Sequence, residues 1–318
     1  MSPKVSVVIP VYNVEKYIER CLHSLFGQTL DNIEYIFVND CSTDSSIEKI
    51  SEILKLYPYR RDQTFVLNHN INRGVGAART TGINAATGDY IIHCDPDDYV
   101  ETDMYEKLYD KALDTNADMV VCYYYVEDQN RERIVRKKYA RTPQECLENM
   151  YKRNCHCDCL WDKLVRRKLI TQYNIVPYDG CNYAEDFYCV IKMLYYANSL
   201  AVVEQPLYHY CKRSDSITNT CKNEYYWNIR KEVIDKICDF LKDEQIYKMT
   251  CNQIRFYFKM QYRAVFVNRE YEWFNTYKDS HKYILQYNDL PLKVRILWWL
   301  VLRNYKTYRF SKTFVRGI

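Results

Sequence analysis

Three carboxylates lie within four residues at Asp95-Pro96-Asp97-Asp98, directly after the apolar segment 90–94. Carboxylates this close repel one another unless a cation neutralises them, and Mg²⁺ and Mn²⁺ prefer such oxygen ligands. A divalent cation held there would in turn bind a diphosphate. Because a D-x-D pattern is common, an acidic turn that caps a helix is the alternative interpretation. The turn is therefore a candidate metal site.

Two other acidic positions could contact a ligand. Asp40 directly follows a predicted strand over 34–39, where it could accept a hydrogen bond from a ligand such as a uracil N3–H. Glu185 and Asp186 lie in the predicted first turn of a helix, where acids are favourable partners of the helix dipole. Alternatively, one of the two is a general base, which removes the proton of an acceptor hydroxyl as its oxygen attacks an anomeric carbon. The sequence leaves both interpretations of this pair open.

Basic side chains accompany these acids. The segment 72–79 resembles a dinucleotide fingerprint only superficially, because Arg79 stands at its third glycine position and a polar loop, not the first strand, precedes it. We expect its small residues to let a helix pack closely on the sheet, with Arg73 and Arg79 able to face phosphate. His209 could give an imidazole to the metal, although a histidine between tyrosines is more often structural.

The elements that carry these residues alternate between strand and helix patterns. The strands are predicted at residues 5–10, 34–39, 64–67 and 90–94, with a helix pattern after each. This alternation indicates an α/β fold with a parallel sheet and right-handed crossovers. Ligands of such sheets bind beyond the carboxyl ends of the strands, where Tyr12, Asp40 and Asp95 lie. Asn13 is expected to cap the helix that follows the first strand.

Length and charge narrow the class of protein. A chain of 318 residues with a net charge of +4, from 45 basic and 41 acidic groups, does not indicate a nucleic-acid partner. The strand and helix alternation ends near residue 215, which predicts a domain over 1–215 and a helical region over 216–318. The apolar run at residues 5–10 is too short for a signal peptide, so a cytoplasmic protein is expected.

The last segment, Leu292 to Arg316, combines seven apolar residues at 296–302 with lysines and arginines. A bilayer-spanning helix needs about 20 apolar residues, so this segment cannot cross a membrane. It could lie on the anionic inner face of the cell membrane, with tryptophan at the interface and cations on the headgroups. A buried terminal helix with a solvated basic face is the alternative.

The chain contains 14 cysteines, three of which lie with a histidine in the segment Cys155-His156-Cys157-Asp158-Cys159. Reduced thiols are expected, because the cysteines are scattered through core-like segments of a long chain. Zinc sites usually need ligands two to four residues apart and a second distant pair, so the spacing of this cluster does not favour metal binding.

Together these motifs resemble the family 2 glycosyltransferases of the GT-A fold. The matching segments are 5–13, 39–44, 72–79, 95–98, Trp161-Asp162-Lys163-Leu164 and Glu185-Asp186. The resemblance covers about the first 215 residues and implies a mostly parallel central sheet flanked by helices. It also implies metal-dependent transfer of a sugar, with inversion, from a UDP-sugar donor to a hydroxyl of a glycan or lipid-linked glycan in cell-surface polysaccharide synthesis.

The resemblance also assigns roles to residues. It implies that Pro10, Tyr12 and Asp40 hold the nucleoside base, that Asp95 contacts the ribose or the metal, and that Asp186 is the base. Asp97 would ligate Mn²⁺ or Mg²⁺. Independently of the resemblance, the residue types make His209 the second candidate metal ligand and Arg73 and Arg79 the candidate phosphate ligands.

Three positions depart from the family pattern: Asn39, Pro96 and Asp162 replace the common aspartate, small residue and asparagine. None of these changes removes a required carboxylate. The alternative function is a nucleotide-sugar-binding module that has lost catalysis. A nucleotidyltransferase is a further rival, but such enzymes usually carry a glycine-rich loop after the first strand, which Val11-Tyr12-Asn13-Val14 does not offer.

Overall fold

A computed structural model describes the chain in six stretches. They are residues 2–128, 131–150, 158–213, 223–266, 269–286 and 290–307. The described residues divide into two compact units, one formed by those within 1–146 and 157–216, the other by those within 147–156 and 217–318. The predicted boundary at residue 215 and the cluster positions 155–157 lie outside the described residues.

Within the described chain, nine strands of the first unit form one mixed sheet. They are β1 (Val5–Val11), β2 (Ile33–Asn39), β3 (Thr64–Asn68), β4 (Tyr90–His93), β5 (Tyr99–Val100), β6 (Met119–Asp128), β7 (Arg131–Val135), β8 (Lys163–Arg166) and β9 (Leu200–Cys211). Their order is β3-β2-β1-β4-β8-β6-β9-β5, with β7 paired to β6. The first four strands are mutually parallel, which confirms the predicted α/β fold, whereas β8 is antiparallel to both β4 and β6.

Helices connect the strands and make up most of the second unit. The α-helices are α1 (Ile18–Phe26), α2 (Ser46–Leu54), α3 (Val75–Ala85), α4 (Met104–Thr115), α5 (Pro143–Asn149), α6 (Arg167–Gln172), α7 (Glu185–Tyr196), α8 (Glu224–Phe240), α9 (Lys248–Gln261), α10 (Glu270–Asn275) and α11 (Leu292–Val301). Short 3-10 helices occur at Pro58–Gln63, Gln245–Tyr247, Arg263–Phe266 and Lys278–Gln286. Among the described helices, we find none with the length and apolar character needed to cross a bilayer.

The central strand β1 is buried along its whole length because helices cover both faces of the sheet. On one face, α1 buries the apolar positions predicted from its period: Ile18, Cys21, Leu22, Leu25 and Phe26. On the other face, a methyl group at Gly82 of α3 would overlap the side chain of Val8. The small residues of α3 therefore allow close packing on the sheet, as predicted.

The expected cap of α1 is wrong. The helix begins at Ile18, four residues later than a cap at Asn13 would require. Asn13 instead has a left-handed backbone (φ 51°), and its side-chain oxygen accepts a hydrogen bond from the Thr43 N–H at 2.8 Å. Asparagine tolerates this conformation better than most residues. Asn13 thus joins the loops that follow β1 and β2 at one edge of the sheet.

In the second unit, aromatic side chains and one buried lysine hold the helices together. The ring of Trp227 in α8 stacks on Phe258 in α9, with centroids 4.2 Å apart. Lys259 is fully buried, and its ammonium donates to the carbonyl oxygens of Phe274 at 2.8 Å and Thr276 at 2.6 Å. Burial lowers the pKa of Lys259 to about 6. Its bonds connect α9 to the end of α10.

The described cysteines are all free thiols, as expected for a reduced protein. Most of them are buried and serve as small apolar side chains.

Candidate active site

The acidic turn after β4 is joined to the end of β9 through Asp98. This carboxylate is buried and accepts hydrogen bonds from the Cys211 N–H at 2.8 Å and from the Tyr208 hydroxyl at 2.7 Å. The same hydroxyl accepts a hydrogen bond from the Asp95 N–H at 3.2 Å. Asp98 therefore holds the turn in place, which leaves Asp95 and Asp97 as the acids available to a ligand.

Arg79 connects the acidic turn to the first turn of α7. Its Nη2 lies 2.8 Å from Asp95 Oδ1, and its Nε lies 3.2 Å from Glu185 Oε1. The arginine is 5% exposed, and its Nη1 is buried without a hydrogen-bond partner among the described residues. Two acidic motifs that lie 90 residues apart in the sequence are thus brought to one edge of the sheet.

Asp97 forms an ion pair with Arg213, two residues after β9, with 2.7 Å between Oδ2 and Nη2. Burial raises the pKa of Asp97 to about 6, the charge of Asp95 adds to the increase, and Arg213 and Arg79 partly offset it. A cavity of about 490 Å³ opens beside this carboxylate. Its lining residues are Lys16, Tyr17, Glu19, Arg20, His23 and Asp97. A small ligand or ion can therefore reach Asp97.

Asp186 lies in the first turn of α7, as predicted, beside the Glu185 that contacts Arg79. Burial raises the pKa of Asp186 to about 8, with further increases from Glu185 and Asp158 and an opposing effect of Arg79. The charge of Arg79 acts on Asp97 as well as on Asp186. The predicted metal ligand Asp97 and the predicted base Asp186 are therefore both subject to the charge of the same arginine.

Asp40 organises the loop that precedes α3. Its Oδ1 accepts the Arg73 N–H at 2.9 Å and lies 2.6 Å from His69 Nδ1, and its Oδ2 accepts the Gly74 N–H at 2.7 Å. Gly74 has a φ of 88°, and a methyl group there would overlap the side chain of Asn182. Asp40 thus fixes the approach of this loop to the segment before α7, and its contact with a nucleoside base stays a prediction.

The other predicted donor-binding residues lie at the same strand ends. Pro10 is buried within β1, and the Tyr12 side chain that follows is 48% exposed. The Arg73 side chain is also exposed, although its backbone is held by Asp40. Tyr12 and Arg73 therefore offer an aromatic ring and a guanidinium group to a ligand without any rearrangement of the core.

The structure places His209 in a cluster of its own. Its ring is stacked between Tyr99 and Tyr125, with centroids 4.0 and 4.4 Å away. Its Nε2 lies 2.9 Å from Glu101 Oε1, and its Nδ1 lies 3.1 Å from Glu127 Oε1. Among the described residues, the potential metal ligands grouped within 4.8 Å are Glu127, Glu132 and His209. Asp97 is not in this group, so the structure does not bring the two predicted metal ligands together.

A buried charge cluster supports the Trp161 side of the site. Asp162 Oδ2 lies 3.1 Å from Lys137 Nζ, and its Oδ1 lies 2.5 Å from Lys163 Nζ. Burial favours the neutral acid, but the two ammonium groups lower the pKa of Asp162 to about 2. The Trp161 ring stacks on Tyr208 at a centroid distance of 4.2 Å. Sequence reasoning missed Lys137 and Arg213, although an aspartate in place of the family's asparagine at 162 signals a nearby cation.

Comparison with known proteins shows the family and the fold of this chain. The model of the family described as glycosyl transferase family 2 matches residues 6–173. EpsH of Bacillus subtilis is 34% identical over 231 residues, which make up 71% of this chain but only 65% of EpsH. The fold is the expected GT-A fold.

Two solved structures share this fold. TarS 1-349 of S. aureus, in complex with UDP-GlcNAc, has a TM-score of 0.71 at 19% identity, covering 97% of this chain and 92% of that one. The mannosyltransferase PcManGT of Pyrobaculum calidifontis, in complex with GDP-Man and Mn²⁺, has a TM-score of 0.59 at 15% identity and covers 98% and 84% of the two chains. The family model matches more than half of the residues of the present chain, and this chain therefore belongs to glycosyltransferase family 2.

Proposed function

We propose that this protein transfers a sugar from a UDP-sugar to a hydroxyl of a glycan or lipid-linked glycan, with inversion at the anomeric carbon, in the synthesis of a cell-surface polysaccharide. The observation that carries the proposal is the double ion pair of Arg79 with Asp95 and Glu185. The arginine connects Asp95, which would lie near the diphosphate of the donor, to the first turn of α7, which carries the candidate base Asp186. The UDP-GlcNAc bound by the similar TarS structure favours a uridine donor.

The nucleotide half of the donor would occupy the ends of β1 and β2. Pro10, Tyr12 and Asp40 would contact the base, with the exposed Tyr12 ring able to stack on it. Arg73 and the Nη1 of Arg79, which has no hydrogen-bond partner among the described residues, would donate to phosphate oxygens. The roles of Pro10, Tyr12 and Asp40 follow from the resemblance, and those of Arg73 and Arg79 follow from the affinity of guanidinium groups for phosphate.

The acidic turn fits a Mn²⁺ or Mg²⁺ ion held by Asp97 together with Asp95. Burial and, after it, the charge of Asp95 raise the pKa of Asp97 to about 6, so a bound cation would stabilise the ionised form of this carboxylate. A bound cation would stabilise the negative charge of the leaving nucleoside diphosphate. We leave His209 out of this ligand set, because both of its ring nitrogens contact carboxylates elsewhere.

Asp186 would be the general base. In its ionised form it would accept the proton of the acceptor hydroxyl as that oxygen attacks the anomeric carbon from the face opposite the diphosphate. Its pKa of about 8 makes the ionised carboxylate a stronger base than an ordinary aspartate. Glu185 would keep Arg79 in position and take no part in proton transfer.

The experiment that tests the proposal measures UDP release from a panel of UDP-sugars with Mn²⁺ and a hydroxyl acceptor. Asp186→Asn is expected to lower turnover by about 100- to 10,000-fold while UDP binding is kept. The anomeric configuration of the product, read by NMR, tests inversion. UDP-sugar binding without turnover of any donor and acceptor would favour the non-catalytic binding module.

We also propose that the second unit contacts an anionic membrane surface through α11. Five side chains of this helix, although apolar, are at least one-third exposed: Leu292, Ile296, Leu297, Trp299 and Leu300. The sequence from residue 291 to the end contains seven lysines and arginines and no acidic residue. Ile296→Ser with Leu300→Ser should weaken binding to anionic liposomes, whereas Leu56→Ser, at an exposed leucine of the first unit, should not. Unchanged partition of the double variant would contradict the membrane contact.

A further inference from the structure

Arg213 is held within reach of Asp97 by the connection between β9 and the acidic turn. The Cys211 N–H donates to Asp98, the residue next to Asp97, so the chain two residues later lies beside the Asp97 carboxylate. The Arg213 guanidinium also lies 4.4 Å from the centre of the Tyr17 ring. Arg213 is therefore placed by fixed neighbours and not by a chance surface contact.

The guanidinium occupies one of the two Asp97 carboxylate oxygens that a metal ion could use. Arg213 Nη2 lies 2.7 Å from Asp97 Oδ2, and both side chains are only partly exposed, at 24% and 20%. A divalent cation on that oxygen would be within a few ångströms of the arginine charge, and like charges that close repel strongly in a partly desolvated site. A cation and Arg213 therefore compete for Oδ2 of Asp97, and their charges repel when both are close to this carboxylate.

We propose that Arg213 is an internal competitor of the divalent cation: it pairs with Asp97 when no cation is bound and must leave that carboxylate when one enters. This inference rests on the proposed function, because it takes Asp97 as a metal ligand. The pair spares Asp97 from being an uncompensated, partly buried carboxylate between reaction cycles. It also lowers the affinity for a cation that arrives without the donor, since each binding event has to break the ion pair.

The inference predicts a tighter affinity for the metal alone when the competing charge is removed. We expect Arg213→Gln to bind Mn²⁺ about three- to tenfold more tightly than the wild type in the absence of any donor, as expected for loss of a partly exposed ion pair and its repulsion. Arg213→Lys keeps a positive charge and should stay within about twofold of the wild type. Free Mn²⁺, measured by its electron paramagnetic resonance signal, gives the affinity without reference to activity.

Lys212→Gln is the matched control. Lys212 is the adjacent residue and carries the same charge, but it pairs with Asp128 at 3.1 Å and not with the acidic turn. Its replacement should leave the Mn²⁺ affinity unchanged, so an equal gain in Lys212→Gln would reveal a general charge effect and overturn the inference. Arg213→Ala provides a second neutral variant in case Arg213→Gln is poorly folded.

Asp97→Asn separates this inference from the proposed function. If Asp97→Asn loses Mn²⁺ binding while both neutral Arg213 variants bind like the wild type, the metal site stands and the competitor role is wrong. If Asp97→Asn binds Mn²⁺ as the wild type does, the metal site at Asp97 is wrong and the competitor role fails with it. Loss in Asp97→Asn together with a gain in the neutral Arg213 variants supports both.

Discussion

Replacement of Arg79 by methionine tests whether one buried arginine holds the candidate site together. The change keeps most of the side-chain volume and removes the charge that faces Asp95 and Glu185. The side chain of Glu185 is 9% exposed, so its carboxylate would be left buried without its partner, whereas the Asp95 side chain is 26% exposed and can be solvated more easily. Most of the effect should therefore come from Glu185.

The expected magnitude follows from the burial of the pair. Loss of one partner of a buried ion pair costs about 3–5 kcal/mol, because the remaining charge is uncompensated. Amide protons of α3 and α7 that exchange through opening of this region should then exchange roughly 100- to 5,000-fold faster, at about 1.36 kcal/mol per factor of ten. Hydrogen exchange followed by mass spectrometry measures the exchange rates of these two helices separately from those of the second unit.

Two variants make the measurement specific. Arg166 also pairs with an aspartate, at 3.2 Å from Asp118, but those side chains are 30% and 19% exposed, so Arg166→Met should cost less than about 1 kcal/mol. Adding Glu185→Gln to Arg79→Met should recover part of the lost protection, because the stranded charge is removed. Unchanged exchange in Arg79→Met, or an equal effect in Arg166→Met, would refute the idea that Arg79 holds the two acidic motifs together.

Three further predictions concern catalysis, stability and donor binding. Asp186→Asn should lower kcat by about 100- to 10,000-fold, and in the wild type kcat/KM should fall about tenfold per pH unit below pH 8, because the base must be ionised and its pKa is raised to about 8; a flat profile from pH 6 to 9 would contradict this assignment. Lys137→Met should lower the free energy of unfolding by about 3 kcal/mol, and Asp162→Asn in the same chain should restore part of it in urea titrations; additive losses would argue against the buried pair. Tyr12→Ala should change stability by less than about 0.5 kcal/mol yet weaken UDP binding, measured by calorimetry, by about 1–3 kcal/mol; unaltered UDP affinity would remove Tyr12 from the site.

The parallel half of the sheet and the position of its polar edge could be predicted from local patterns. Residues 5–10 and 34–39 read as buried strands because β-branched and aromatic residues follow one another without polar alternation, and the structure places β1 and β2 there. The polar residues after each strand then had to share an edge, since parallel strands end on the same side.

The contacts that complete the site depend on residues distant in the sequence. Asparagine is a common helix cap, but the side-chain amide of Asn13 contacts Thr43, 30 residues away. No local pattern shows whether this side chain caps the following helix or contacts a distant loop. Likewise, no local pattern places Tyr208 beside Asp98. The antiparallel pairing of β9 with β5, which directly follows the acidic turn, brings the Tyr208 hydroxyl to this carboxylate. Such pairings are fixed by the topology of the second half of the sheet, which the alternating pattern did not reveal.

The bond between Asp98 and Cys211 has a consequence for exchanging parts between related enzymes. The Asp98 carboxylate joins the turn at 95–98 to the end of β9 by hydrogen bonds. A chimaera that takes only one of the two segments from another parent would therefore combine a turn and a strand end that do not match. Both segments should therefore be taken from the same parent, together with the arginine at 213. Recombination breakpoints between them are expected to yield soluble but misaligned hybrids.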